Sequence, residues 1–239
     1  VKGRFEVTPL FESTINADFR HIIGGGVKLE YHATDMLSFG ALGVFSASLN
    51  TKLVNRIEST LEPNVDDATR EPSVDEFMQR LNSMPIHGAA YVSLTPWYGK
   101  LAAFSKAFLN FDFYFQAGVA FAQLKSDCDP SICDDPNPGQ PTVDNMGMEV
   151  PPDDNPNNDA PLNSGSRVGL YLGGGIHVFL NDFVALDLTI RDYAFSDNPS
   201  GADFNADLFV DGSDSRFLHH VFMGMGVSIM LPTKVKRTR

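Results

Sequence analysis

Apolar and polar residues alternate one by one over repeated segments of roughly ten positions, the period of a β-strand whose two faces meet different surroundings. The cleanest segment runs from Arg167 to Leu180. Val168, Leu170, Leu172, Gly174, Ile176, Val178 and Leu180 share one face, and Arg167, Gly169, Tyr171, Gly173, Gly175, His177 and Phe179 share the other. After Asn181-Asp182 the pattern resumes, with Val184, Leu186, Leu188 and Ile190 against Asp187, Thr189, Arg191 and Tyr193. Two such segments around a tight turn predict a hairpin with matched faces. Phe111, Phe113, Phe115, Val119 and Phe121 alternate with Asp112, Tyr114, Gln116 and Gly118, and Val221 to Leu231 repeats the period near the end. At the start, Phe5, Val7, Pro9 and Phe11 oppose Glu6, Thr8 and Glu12, while Val27, Leu29 and Tyr31 oppose Lys28, Glu30 and His32. Residues 37–48 and 88–98 are richer in Gly, Ala and Ser. In the second of these, Ala90, Val92, Leu94 and Tyr98 still oppose Tyr91, Ser93, Thr95 and Trp97. The expectation is one all-β domain over residues 1–239, an antiparallel up-and-down barrel of about eight strands.

The connections alternate in length. Short turns are expected near Asp35-Met36, within 100–110 and at Asn181-Asp182; long ones are 50–86, 124–165 and 195–215. In barrels of the bacterial outer membrane, short turns lie on the periplasmic side and long loops face outward, which places both termini in the periplasm. Within the insert 50–86, Ser73-Val-Asp-Glu opens a predicted helix to Ser83 with a capping box. The insert 124–165 is rich in Asp, Asn, Pro and Gly without periodicity and predicts irregular structure. A further hairpin hidden there would raise the count to ten strands.

A soluble barrel shows the same alternation, with its apolar face turned inward. The second face separates the two readings. It mixes Gly, Tyr, Ser, Thr and both signs of charge, which suits the filled interior of a narrow membrane barrel, whereas a soluble surface carries more Lys and Glu. Glu6, Glu12, Lys28, Glu30, Asp112, Arg167, Asp187 and Arg191 are therefore expected to form an interior polar network, because an unpaired buried charge costs several kcal/mol.

Composition narrows the partners. With 239 residues, 43% hydrophobic, the chain has no apolar run long enough for a membrane helix. The first residues, Val1-Lys2-Gly3-Arg4-Phe5, carry no secretory signal pattern, so any such signal is expected to have been removed and its absence says nothing of export. A formal charge of −12 opposes binding to phosphate backbones, so nucleic acid is not an expected partner. The basic tail Lys234 to Arg239 reads as a solvated segment able to touch anionic lipid. Cys128 and Cys133 flank an Asp-Pro turn and predict a small disulfide in an oxidising compartment. The acids Asp127, Asp129, Asp134, Asp135, Asp153, Asp154 and Asp159 offer oxygen ligands of the kind Ca2+ takes, at spacings that match no known loop; apart from that option no cofactor is expected.

Four segments taken in order carry a resemblance: Gly25-Gly26-Val27-Lys28-Leu29-Glu30-Tyr31-His32-Ala33-Thr34-Asp35, Thr95-Pro96-Trp97-Tyr98-Gly99-Lys100, Asn110-Phe111-Asp112-Phe113-Tyr114 and Ile190-Arg191-Asp192. In that arrangement the chain resembles the outer-membrane β-barrel domain family described from myxobacteria and related delta-proteobacteria. The resemblance implies an outer-membrane location with the inserts outside the cell, and a place in an envelope-spanning assembly of motility, adhesion or secretion type.

Catalysis finds little support. No Gly-x-Ser-x-Gly elbow is present. Adjacent His219 and His220 point to opposite faces of a strand and cannot chelate one ion. Gly24-Gly25-Gly26 lacks the Lys-Ser/Thr pair of a phosphate loop. The function expected is a structural or docking barrel with lipid and envelope proteins as partners. The alternative is a narrow pore or small-ligand binder lined by Glu30, Asp112, Asp187 and Arg191.

Overall fold

The computed structural model describes residues 2–60, 77–78, 80–103, 107–126, 142–143, 149–150, 164–201, 204 and 212–232. The barrel strands are β1 (Phe5–Thr14), β2 (Arg20–His32), β3 (Leu37–Asn50), β4 (Asn82–Ala103), β5 (Ala107–Ser126), β8 (Gly165–Phe179), β9 (Val184–Asp197) and β10 (Arg216–Leu231). They close in the order β1-β10-β9-β8-β5-β4-β3-β2, with every neighbouring pair antiparallel. Closure comes from β1, which pairs β2 on one side and β10 on the other, Phe5 facing both Tyr31 and Leu231. A closed ladder leaves no strand edge unpaired, the condition for crossing hydrocarbon with strands. Two short strands, β6 (Thr142–Val143) and β7 (Glu149–Val150), pair with each other as a separate ladder, so among the described residues of the insert 124–165 neither joins the barrel.

Alternation sets the faces. Outward, β9 shows Leu186, Leu188 and Ile190, β10 shows Met223, Met225 and Val227, and β5 shows Phe113, Phe115, Val119 and Phe121, all exposed. Inward, Asp187, Thr189 and Arg191 of β9 and Asp112, Tyr114 and Gln116 of β5 are buried. Polarity is therefore reversed relative to a soluble protein: the apolar side chains form the outer belt. Near the short turns that belt ends in rings, Phe5, Tyr31, Phe39 and Trp97, with Phe5 and Tyr31 at 4.9 Å between centroids. Such aromatic girdles mark the membrane–water interface. At the other edge the outward Asp192 and His219 pair at 2.6 Å, where charge first returns to the outer face.

The short turns are built by side chains standing in for backbone. Asn181 Oδ1 accepts from the amides of Phe183 and Val184 at 3.0 and 2.9 Å, and Thr34 Oγ1 accepts from those of Met36 and Leu37 at 3.2 and 2.8 Å.

Four sequence expectations are corrected. Trp97 does not share the face of Tyr91, Ser93 and Thr95: a β-bulge between Leu94 and Trp97 inserts a residue against Phe113–Phe115, reverses the parity, and leaves Trp97 61% exposed on the belt. The turn expected across 100–110 is much tighter, because the ladder continues to the pair Ala103–Ala107. The insert 50–86 carries an unanticipated helix, α1 (Lys52–Thr60), docked through the fully buried Val54. Of the helix expected from Ser73 to Ser83, only Phe77, Met78 and Arg80 are described as helical, and Asn82 already belongs to β4. The capping-box residues, Cys128 and Cys133, the loop acids from Asp127 to Asp159 and the basic tail lie outside the described residues.

Candidate functional site

The barrel interior is where the chain concentrates its chemistry. Lys28, on β2, is wholly buried, and its ammonium lies 2.8 Å from Asp187 Oδ2 on β9 and 3.0 Å from Glu6 Oε1 on β1. Glu30 Oε2 is 3.9 Å away, and His177 Nε2 on β8 is 3.4 Å away. Glu6, His177 and Asp187 present ligand atoms within 4.8 Å of one another, a metal-like donor set in which the Lys28 ammonium supplies the positive charge.

Around this centre further side chains donate to the carboxylates. Tyr114 donates to Asp187, Tyr91 donates to Glu30 at 3.0 Å, and Ser38 also donates to Glu30. His32 Nε2 lies 2.9 Å from Glu6, and His177 Nδ1 lies 2.9 Å from Asp112. Thr8 and Ser228 add donors to Glu6 at 2.9 and 2.8 Å. One level toward the long loops a second cluster forms on Glu12. It accepts from Arg191 Nη1 at 2.7 Å, with His87 Nε2 at 2.5 Å, and His87 stacks on Phe222 with centroids 4.9 Å apart. Above and beside these groups, Leu10, Leu42, Val44, Met84, Tyr171 and Phe222 join an apolar and aromatic layer across the bore.

Glycine makes room for the rings. A Cβ at Gly40 would lie 2.5 Å from the Tyr91 hydroxyl, and one at Gly175 would lie 2.6 Å from that of Tyr114. The alternation of glycine with tyrosine on facing strands thus sets where the hydroxyls reach the carboxylates.

Of the eight residues assigned to the interior network from sequence, Glu6, Lys28, Glu30, Asp112 and Asp187 meet directly or through His177, and Glu12 and Arg191 form the second cluster. Arg167 belongs to neither cluster and lies half-buried near the long-loop end of β8. Sequence reasoning missed the histidines His32, His87 and His177 and the tyrosines Tyr91 and Tyr114 as members. Strand parity was the available signal, since His32 follows Lys28 and Glu30 by even steps and His177 shares a face with Tyr171. Of the adjacent histidines, His219 pairs with the outward Asp192, and both His219 and His220 line a cavity at the long-loop mouth.

A closed barrel of eight antiparallel strands, apolar outside and packed with a charged network inside, is a small transmembrane β-barrel. Among solved structures the chain is similar to the N-terminal β-barrel domain of Pseudomonas aeruginosa OprF, at 7% identity and TM-score 0.46, covering 96% of this chain and 98% of that one. It is similar also to the outer-membrane protein OprG of Pseudomonas aeruginosa, at 10% identity and TM-score 0.42 with 96% of each chain covered. A third similar structure is Ail, the attachment invasion locus protein of Yersinia pestis, at 10% identity and TM-score 0.35, covering 97% of this chain and 100% of that one. No family model matches the chain, nor does any curated protein. The class rests on the strand order and the reversed polarity of the barrel itself.

Proposed function

We propose that this chain is an integral barrel of the bacterial outer membrane with a structural, non-catalytic role. It anchors in lipid and presents the inserts 50–86 and 124–165 to a protein partner of the cell envelope or surface. Termini and short turns face the periplasm, and the long connections face outward. The observation that supports this reading is the way the bore is filled. Lys28, Glu6, Asp187 and Glu30 hold one another across the barrel, and an apolar and aromatic layer lies over them, so these side chains serve the wall rather than a wide aqueous path. In this reading the residues considered as pore lining, Glu30, Asp112, Asp187 and Arg191, are engaged in holding strands together. The resemblance noted in the sequence supports a place in an envelope-spanning assembly of motility, adhesion or secretion type.

The test is gentle detergent extraction from native membranes, followed by size-exclusion chromatography and mass spectrometry of what travels with the protein. Stoichiometric companions are expected. A lone barrel that gives stepwise conductance in planar bilayers would replace the docking role with transport.

A further inference from the structure

At the long-loop mouth the barrel holds a cavity of about 300 Å³, lined by both His219 and His220. That is the lower end of the range for small-molecule sites, roughly 300–1,000 Å³. Ile22, Met84, Leu124 and Leu218 give it an apolar wall. Asp197 and His220 share that wall, and their polar atoms are left in an unusual state.

Asp197 is 1% exposed. Its Oδ1 accepts from Asn82 Nδ2 and from the amide of Asn198, both at 2.8 Å, and its Oδ2 has no hydrogen-bond partner. His220 Nε2 lies 3.6 Å from that Oδ2, too far for a hydrogen bond, and is likewise without a partner. The His220 ring is held by Phe195, stacked at 4.4 Å. Buried polar atoms are nearly always satisfied, so two orphans side by side on a cavity wall point to a missing donor-rich group. A single nitrogen placed about 2.8 Å from each would satisfy both.

We propose that this cavity binds a small organic ammonium compound. The head donates to Asp197 Oδ2 and His220 Nε2, and the apolar body lies against Ile22, Met84, Leu124 and Leu218. A metal ion fits this site poorly, since structural zinc takes four protein ligands and among the described residues no three His, Cys, Asp or Glu ligand atoms gather on this wall. Two other charged residues reach the wall from the β1–β2 turn and its edge, Asp18 and Arg20. Arg20 turns its Nη2 to the carbonyl of Met78 at 3.5 Å. The net charge of −12 draws cations toward the molecule.

The experiment is calorimetric titration of the detergent-folded full chain with phenethylamine, with 2-phenylethanol and phenylacetate as the neutral and anionic counterparts and Zn2+ as the metal alone. Saturable binding of phenethylamine at one site per barrel is expected, with the two counterparts at least tenfold weaker. Asp197→Asn should weaken phenethylamine at least tenfold, and Leu218→Trp, which fills the cavity, should abolish it. Glu58→Gln, exposed on α1 and away from the cavity lining, should leave it unchanged. Folding of each variant is checked by its heat-modifiable mobility, and if Asp197→Asn does not fold, Leu218→Trp decides. Absence of saturable amine binding, undiminished binding in a folded Asp197→Asn or Leu218→Trp variant, or binding of Zn2+ alone would overturn the assignment.

Discussion

Replacing Lys28 by Met keeps the length of the side chain and removes the charge at the centre of the bore. Its ammonium is wholly buried and touches Asp187 at 2.8 Å and Glu6 at 3.0 Å, with Glu30 at 3.9 Å. Each charge-assisted hydrogen bond contributes about 1.5–3 kcal/mol. Breaking a buried pair by removing one partner costs about 3–5 kcal/mol, because the surviving carboxylates remain buried without their cation. The five interior carboxylates Glu6, Glu12, Glu30, Asp112 and Asp187 share just two permanent cations in this network, Lys28 and Arg191, and Arg191 is held by Glu12. Among the described residues His177, 3.5 Å from Glu6 and 3.7 Å from Asp187, stays beside these carboxylates but is already held by Asp112, so a loss of about 4 kcal/mol is expected. The assay is reversible urea unfolding in lipid vesicles, followed by the emission of Trp97, the one tryptophan, which sits on the lipid-facing belt. With a denaturant slope of about 2 kcal/mol per molar, the midpoint should fall by roughly 2 M urea. A loss below about 1 kcal/mol, or a gain, would refute the claim that Lys28 neutralises the interior.

Four further outcomes follow from the same geometry. Asp187→Ala should cost less than Lys28→Met, about 1–3 kcal/mol, because Lys28 keeps Glu6 while Tyr114 loses its acceptor; the same unfolding assay measures it. Lys28→Ala leaves Glu6, His177 and Asp187 with ligand atoms within 4.8 Å and no ammonium among them, so added Zn2+ should restore part of the lost midpoint, and no shift with Zn2+ counts against that donor geometry. Leu188→Arg, in the middle of the outer belt of β9, should destabilise the barrel in bilayers by about 2–4 kcal/mol, whereas Ser196→Arg beyond the belt should cost about 1 or less, and equal costs would contradict the placement of the membrane. Gly118→Ala should prevent the heat-modifiable form, since its Cβ would meet the Ala90 carbonyl at 2.0 Å and the Tyr91 backbone at 2.6 Å; Gly43→Ala, with nothing within 4 Å, should fold normally.

Much of the barrel was legible along the chain because dyad alternation is a local property. Val184 to Tyr193 or Phe111 to Phe121 states which residues share a face before any partner strand is known. The same rule located the charges Glu6, Lys28, Asp112 and Asp187 on the inward side. It failed at Trp97, where the bulge between Leu94 and Trp97 breaks the parity. A bulge depends on which strand lies opposite and leaves no mark in composition. The α1 helix was missed for a related reason: nine residues without a strong cap are held by the burial of Val54, not by local preference.

What the sequence by itself determined is the set of faces: which side chains meet lipid and which enter the bore, because period two follows from strand geometry alone. The pairings inside were decided only by the closed tertiary structure. Lys28 meets Glu6 on the adjacent strand, but it meets Asp187 from 159 positions away only because β1 joins β10 and the barrel is narrow enough for side chains to cross it. The mouth cavity has the same origin. Asn82, Asp197 and His220 come from three separate strands, and their unequal satisfaction is a product of closure that no local pattern encodes.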